Sequence, residues 1–174
     1  MVILVVIGIV PSFIVKNVVV NSYETRAVSI REVNLKNQCD ILGNQLMKEN
    51  YLREPDSDVI NGELSMLSAI YNGRILIINK DAKIIKDTYD IDVGKYALSE
   101  EVIQCFEGKS TANYDDKNAY IEMTSPITKM DSNTIEGVML VSISTSEIED
   151  SIDMLENRGN LLLSIICILV LVLG

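Results

Sequence analysis

The sequence has no histidine and no tryptophan, and only two phenylalanines, three prolines and three cysteines in 174 residues. Each shortage removes something. Without histidine the chain cannot assemble a Ser-His-Asp or Cys-His catalytic set, an imidazole metal ligand or a phospho-accepting histidine. Of the cysteines, Cys167 lies in an apolar terminal segment, which leaves Cys39 and Cys105 as the pair to consider for a disulfide. Each falls in an expected helix among apolar neighbours, where a free buried thiol is the usual state. Charge is missing from both ends. Residues 1–15 and 161–174 carry none, so all 25 acidic and 15 basic residues lie between them, with a net charge of −10. That acidity argues against nucleic-acid binding.

The apolar ends are each shorter than the roughly 20 residues that a helix needs to cross a bilayer. Met1–Val15 lacks the basic start and small-residue cleavage site of a secretory signal, and Leu161–Gly174 is apolar on every face. Both are expected to be truncated transmembrane helices. Residues 16–160 then form one domain of ordinary globular composition, placed outside the cell membrane by this architecture rather than by charge.

Within that domain the apolar period changes several times. Lys16 to about Asn50 predicts one long helix, with Val20, Tyr23, Ala27 and Ile30 on one stripe and Leu35, Cys39, Leu42 and Leu46 continuing it. The first half of the stripe suits either packing within the domain or a parallel seam with a second copy. Pro55 separates it from a second helix bearing Ile60, Leu64, Leu67 and Tyr71, which Asn72-Gly73 ends.

Ile75–Ile78 and Lys83–Thr88 then predict a hairpin around Asn79-Lys80-Asp81. Ser99 is placed to cap a short helix whose buried face is expected from Val102, Ile103 and Phe106, with Gly108 beyond its end. Three strands follow at about 110–114, 119–129 and 135–145, with turns at Asp115–Asn118 and Asp131-Ser132-Asn133. The last strand is apolar on both faces in its centre, as a central strand is. Ser146-Glu147-Ile148-Glu149 starts an exit helix in the manner of a capping box. The expected fold is therefore α+β: a five-stranded antiparallel sheet with a long N-terminal helix, and helices gathered on one face.

No complete chemistry-bearing motif is present in the sequence. Gly108-Lys109-Ser110 resembles the end of a phosphate-binding loop, but position 103 is Ile where the motif needs glycine. Asp87, Asp90 and Asp92 lack the spacing of a calcium loop, and Asp115-Asp116 reads as a turn. No activated nucleophile is present. The expectation is no catalytic residue, no metal and no cofactor within this chain.

Gly73–Thr88, a hydrophobic strand, a polar turn and a second strand ending in Asp87-Thr88, resembles the first hairpin of the extracellular PAS-like (Cache, or PDC) sensor domains of bacterial membrane histidine kinases. Ser125-Pro126-Ile127 followed by Ile135–Ser142 resembles their closing strands. Ala82 stands where that family usually has glycine, and its tryptophan-containing amino-acid motif and its citrate-binding basic cluster are both missing.

The resemblance implies a sensory input domain of a two-span receptor, most simply a sensor histidine kinase that signals to a response regulator through a cytoplasmic part. A chemotaxis receptor, a cyclic-dinucleotide enzyme and an anchored partner-binding module are the alternatives. The stripe at Val20, Tyr23, Ala27 and Ile30 adds the expectation of a homodimer through the N-terminal helix. In that fold small ligands lie between the sheet and the elements over it, which makes Arg74, Tyr89, Tyr114 and Tyr120 the candidate contacts for an unknown small ligand. Each has a structural alternative, since tyrosine rings pack in cores and Arg74 directly follows a helix end.

Overall fold

The protein is described by a computed structural model covering residues 2–129, 131–132 and 134–173, with side chains at 2–9, 170–171 and 173 left aside. Asn133 of the expected turn, and Met1 and Gly174 of the two apolar ends, lie outside the described residues. In chain order the elements are α1 (Val2–Lys48), α2 (Asp58–Ile70), β1 (Gly73–Asn79), β2 (Ile84–Asp87), α3 (Glu100–Phe106), β3 (Ala112–Asp115), β4 (Tyr120–Thr128), β5 (Ile135–Ser144) and α4 (Ser146–Leu173). They divide into two units: Arg31–Thr145, and the two ends Met1–Ile30 with Ser146–Gly174.

In the first unit α1 ends where Asn50 takes a left-handed φ of 54°. Its N–H donates to Met47 O at 3.2 Å and that of Tyr51 to Leu46 O at 2.9 Å, a closure typical of helix C-termini. The Tyr51 ring is fully buried and its hydroxyl donates to Asn61 Oδ1 at 2.6 Å, tying this turn to α2. Ser57 caps α2 with its hydroxyl on the Ile60 N–H. Asn72, at φ 44°, turns the chain directly into β1.

The strands form one antiparallel sheet in the order β2-β1-β5-β4-β3. β5 is central, as its apolar centre predicts: Val138, Met139, Val141 and Ile143 are all buried. The residues Ile75, Ile77, Met139, Val141, Ile143, Ile121 and Met123 share one buried face. α1 lies along it, lining a cavity together with Ala112, Met123 and Ser125.

The helices do not gather on one face. α3 packs on the opposite one, where Val102 and Cys105 meet Leu76, Ile78, Ile84 and Val138. Its buried pair is therefore Val102 and Cys105. Ile103 is 49 % exposed, because a seven-residue helix can seat only one narrow edge on the sheet. Ser99 does precede α3, but its side chain makes no capping hydrogen bond. Cys39 on α1 and Cys105 on α3 lie on opposite sides of the sheet and are free thiols.

The β1–β2 turn is built by Asn79, whose Oδ1 accepts the N–H groups of Asp81 and Lys83, each at 3.0 Å. It forces Ala82 to a φ of 59°. A left-handed L-residue costs roughly 1–2 kcal/mol, partly offset in a glycine variant by its larger unfolded-state entropy. Ala82→Gly is therefore expected to raise stability by about 0.5–1 kcal/mol. Urea unfolding checks this, and an unchanged or lowered midpoint would show that the turn holds no such strain.

In the second unit α1 and α4 meet along a stripe. Lys16 Nζ donates to Asn160 Oδ1 at 2.6 Å, and a Cβ at Gly159 would stand 2.8 Å from Lys16 Cγ. Val20 and Val28 are buried, whereas Tyr23 and Ile30 of the expected stripe are exposed. Phe13, Ile14, Leu161, Leu162, Ile165 and Ile168 are exposed as well. Among the described residues no helix is long and apolar enough to cross a membrane.

Candidate ligand site

Strand register decides which candidate residues share a face. Arg74 pairs with Ser142, Ser142 with Glu122, and Glu122 with Asn113. These four positions form a row across β1, β5, β4 and β3 on the side that α3 covers farther along. Tyr120, two residues before Glu122, belongs to the same face. Tyr114 pairs with Ile121 and so falls on the opposite face, toward α1. Tyr89 follows β2 in a loop and is 51 % exposed. The structure thus brings Arg74 and Tyr120 to one face and separates Tyr114 from them.

Arg74 is held in place. Its Nε donates to Asp87 Oδ1 at 3.0 Å, and its Nη2 donates to Asp87 Oδ2 at 2.5 Å and to Asp92 Oδ2 at 2.6 Å. Asp87 is fully buried and also accepts the N–H of Tyr89 on Oδ1 and those of Ile91 and Asp92 on Oδ2, each at 2.9 Å. Burial alone would raise its pKa. The Arg74 bond and the three N–H bonds outweigh that and hold the carboxyl well below the usual carboxylate range.

Thr88 completes the joint. Its Oγ1 accepts the Ile75 N–H at 3.0 Å while its own N–H donates to Ile75 O. The Asp87-Thr88 end of β2 therefore fixes the loop onto the sheet and orients the guanidinium at once.

Two groups of the row stay available. Among the described residues Arg74 Nη1 has no partner, and of the Glu122 carboxylate only Oε2 is engaged, by the Ser142 hydroxyl at 3.2 Å. Beside them the Tyr120 hydroxyl has a raised pKa, chiefly from the negative charge of Asp115. A cationic donor and an anionic acceptor on one face of the sheet can recognise a small polar molecule carrying complementary groups. Both Asp87 oxygens are occupied by the Arg74 and backbone N–H donors. Among the described residues no cluster of three acidic or thiol groups suits a metal ion.

Glu122, Ser142 and Asn113 were not candidates from sequence. The signal available was Ser142 within the apolar run of β5; Glu122 did not stand out in β4, which also carries Thr124, Ser125 and Thr128.

No protein-family profile matches the sequence, and no curated protein matches it. Solved structures do match. The sensor domain of the V. cholerae histidine kinase DctB is similar over 77 % of this chain and 59 % of that one, at 14 % identity and a TM-score of 0.50. The ligand-binding domain of the Campylobacter jejuni chemoreceptor Tlp3, solved with 4-methylisoleucine, is similar over 80 % and 61 %, at 14 % identity and a TM-score of 0.51. The chain spans about three fifths of the length of these domains. At such identity the likeness is one of fold. The chain shares its fold with these two sensor domains, in line with the PAS-like fold expected from Gly73–Thr88 and Ile135–Ser142.

Proposed function

We propose that the chain is the extracellular input domain of a two-span membrane receptor, with a sensor histidine kinase as the parent enzyme and a response regulator as its downstream partner. One observation carries this reading. The polar row crosses the central strand at Ser142, and that strand runs into α4, which starts at Ser146, with only Thr145 between them. A small ligand seated on the row would bear on the strand that drives the exit helix. A shift of this kind needs the ligand to favour one arrangement of that joint over the other. The exposed Tyr23 and Ile30 on α1 support a homodimer through this helix, and the bare apolar side chains near both chain ends support membrane insertion. A chemotaxis receptor or cyclic-dinucleotide enzyme with the same input domain is the alternative within this class.

A second reading, an anchored partner-binding module, is favoured by the loop after β2. Tyr89, Ile91, Val93, Tyr96 and Leu98 are all exposed there. That loop is nevertheless tied down, with Ile84 and Ala97 N–H groups donating to Lys95 O and Ala82 O at 2.8 Å.

Topology separates the extracellular placement from an intracellular one. Burial pushes the Cys39 thiol up to about 12, with Asp40 adding to it, and burial also raises Cys105 despite its bond to Thr124. Both are then poor thiolates. In a Cys167→Ala background, the exposed turn variant Asp116→Cys is expected to react with an impermeant maleimide in intact cells. Reaction only after lysis would overturn the placement.

A further inference from the structure

A second cavity lies on the far side of the β1–β2 hairpin, away from the polar row. It encloses about 480 Å³ between the end of α1, the β1–β2 turn and the adjoining ends of β4 and β5. That volume falls in the range of small-molecule sites. Leu46 and Leu52 form apolar wall, and Arg53, Lys80 and Lys129 come to it from three separate connecting segments. Among the described residues none of these three cations has an ion-pair or hydrogen-bond partner for its side chain, although Asp81 and Glu136 line the same space. In a chain of net charge −10, three unpaired cations converging on one concave surface form a local positive site.

We infer that this cavity binds a small multivalent oxyanion, carboxylate or phosphate, whose acidic groups bridge Arg53, Lys80 and Lys129. Arg53 supplies a planar fork able to take two oxygens at once, and the lysines supply point charges on flexible stems. The two carboxylates of Asp81 and Glu136 leave the three cations a small positive excess, and a ligand with two or more acidic groups can engage more than one of those cations at once. The Leu46 and Leu52 wall accommodates the carbon or bridging portion between those groups. A bound anion would also fasten the segment after α1 to the β1–β2 turn and to the end of β4. The inference is independent of the sensory reading, because it concerns binding at a site on the other face of the sheet.

The test is isothermal titration calorimetry on the full chain in lipid nanodiscs, at a constant ionic strength of about 0.15 M so that general screening is fixed. The probes are pyrophosphate and citrate, with acetate as the monovalent control. Saturable binding of pyrophosphate, citrate or both is expected, and their relative affinity tells phosphate from carboxylate preference. Lys80→Gln with Lys129→Gln, both exposed and so tolerable to the fold, should weaken binding at least about tenfold, or 1.4 kcal/mol. Ser142→Ala, on the polar row, should leave it unchanged. No saturable binding by either multivalent probe, equal binding of acetate, or full retention in the double variant would overturn the inference.

Discussion

Asp87→Asn is expected to destabilise the domain by about 3 kcal/mol, the scale of breaking one partner of a buried ion pair. Each carboxylate oxygen of Asp87 faces at least two donors: Oδ1 the Arg74 Nε and the Tyr89 N–H, Oδ2 the Arg74 Nη2 and the N–H groups of Ile91 and Asp92. An asparagine amide must present its NH2 to one of these sets, whichever way it is turned. The guanidinium would keep Asp92, and with 27 % of its side chain exposed it would recover some hydration, which limits the loss.

The pH dependence has a definite sign. The folded pKa of Asp87 is depressed, so its stabilising contribution is complete above the unfolded value of about 4 and is lost as pH falls below it toward the folded value. Urea unfolding of both proteins from pH 7 to pH 2 should show a gap that is constant down to about pH 4 and narrows below it. A gap that is absent at pH 7, or that widens in acid, would mean that the Arg74–Asp87 pair does not hold this loop.

Gly73→Ala is expected to cost a similar amount, about 3 kcal/mol, for a steric reason. A Cβ at Gly73 would stand 2.5 Å from Ser142 O, 2.7 Å from Ile143 Cγ2 and 2.8 Å from Ile143 Cα. Two of those atoms are backbone of the paired central strand and cannot swing aside. The strand would have to move at the row position Ser142, so a ligand held there should bind more weakly too. Gly62→Ala is the control, since a Cβ there meets nothing within 4 Å and lies in the interior of α2. It should gain roughly 0.5–1 kcal/mol from helix propensity. Denaturant midpoints of the two variants moving in the same direction would refute the steric account.

Much of the fold is legible from apolar spacing, because burial on both faces of β5 leaves a mark that no edge strand carries. Leu35, Cys39, Leu42 and Leu46 are likewise buried where their helical period places them. The side on which α3 packs left no such mark. With seven residues, its apolar positions fit either face, and Cys105 replaced Ile103 as the seated residue. The site was half legible. Arg74 stood out as a cation beside a strand, but the two carboxylates that orient it, Asp87 and Asp92, belong to another strand and to the loop after it. Tyr114 was assigned by proximity in sequence, whereas its face depends on a β3–β4 register that begins at Ala112 rather than Ser110. The end of α1 hid its second role as well, since the cations of the second cavity come from segments distant in sequence.

The most direct test of signalling through α4 uses helical phase and needs no known ligand. Residues 16–160 are placed between the two membrane spans of a reporter histidine kinase, and one to four alanines are inserted after Glu156 in α4. Each inserted alanine rotates the C-terminal remainder of the helix by about 100° and lengthens the helix by about 1.5 Å. The account predicts reporter output that changes sharply with one or two alanines and returns near its starting level with four, close to a full turn. Output that ignores the insertions, or drifts with length without regard to phase, would contradict it.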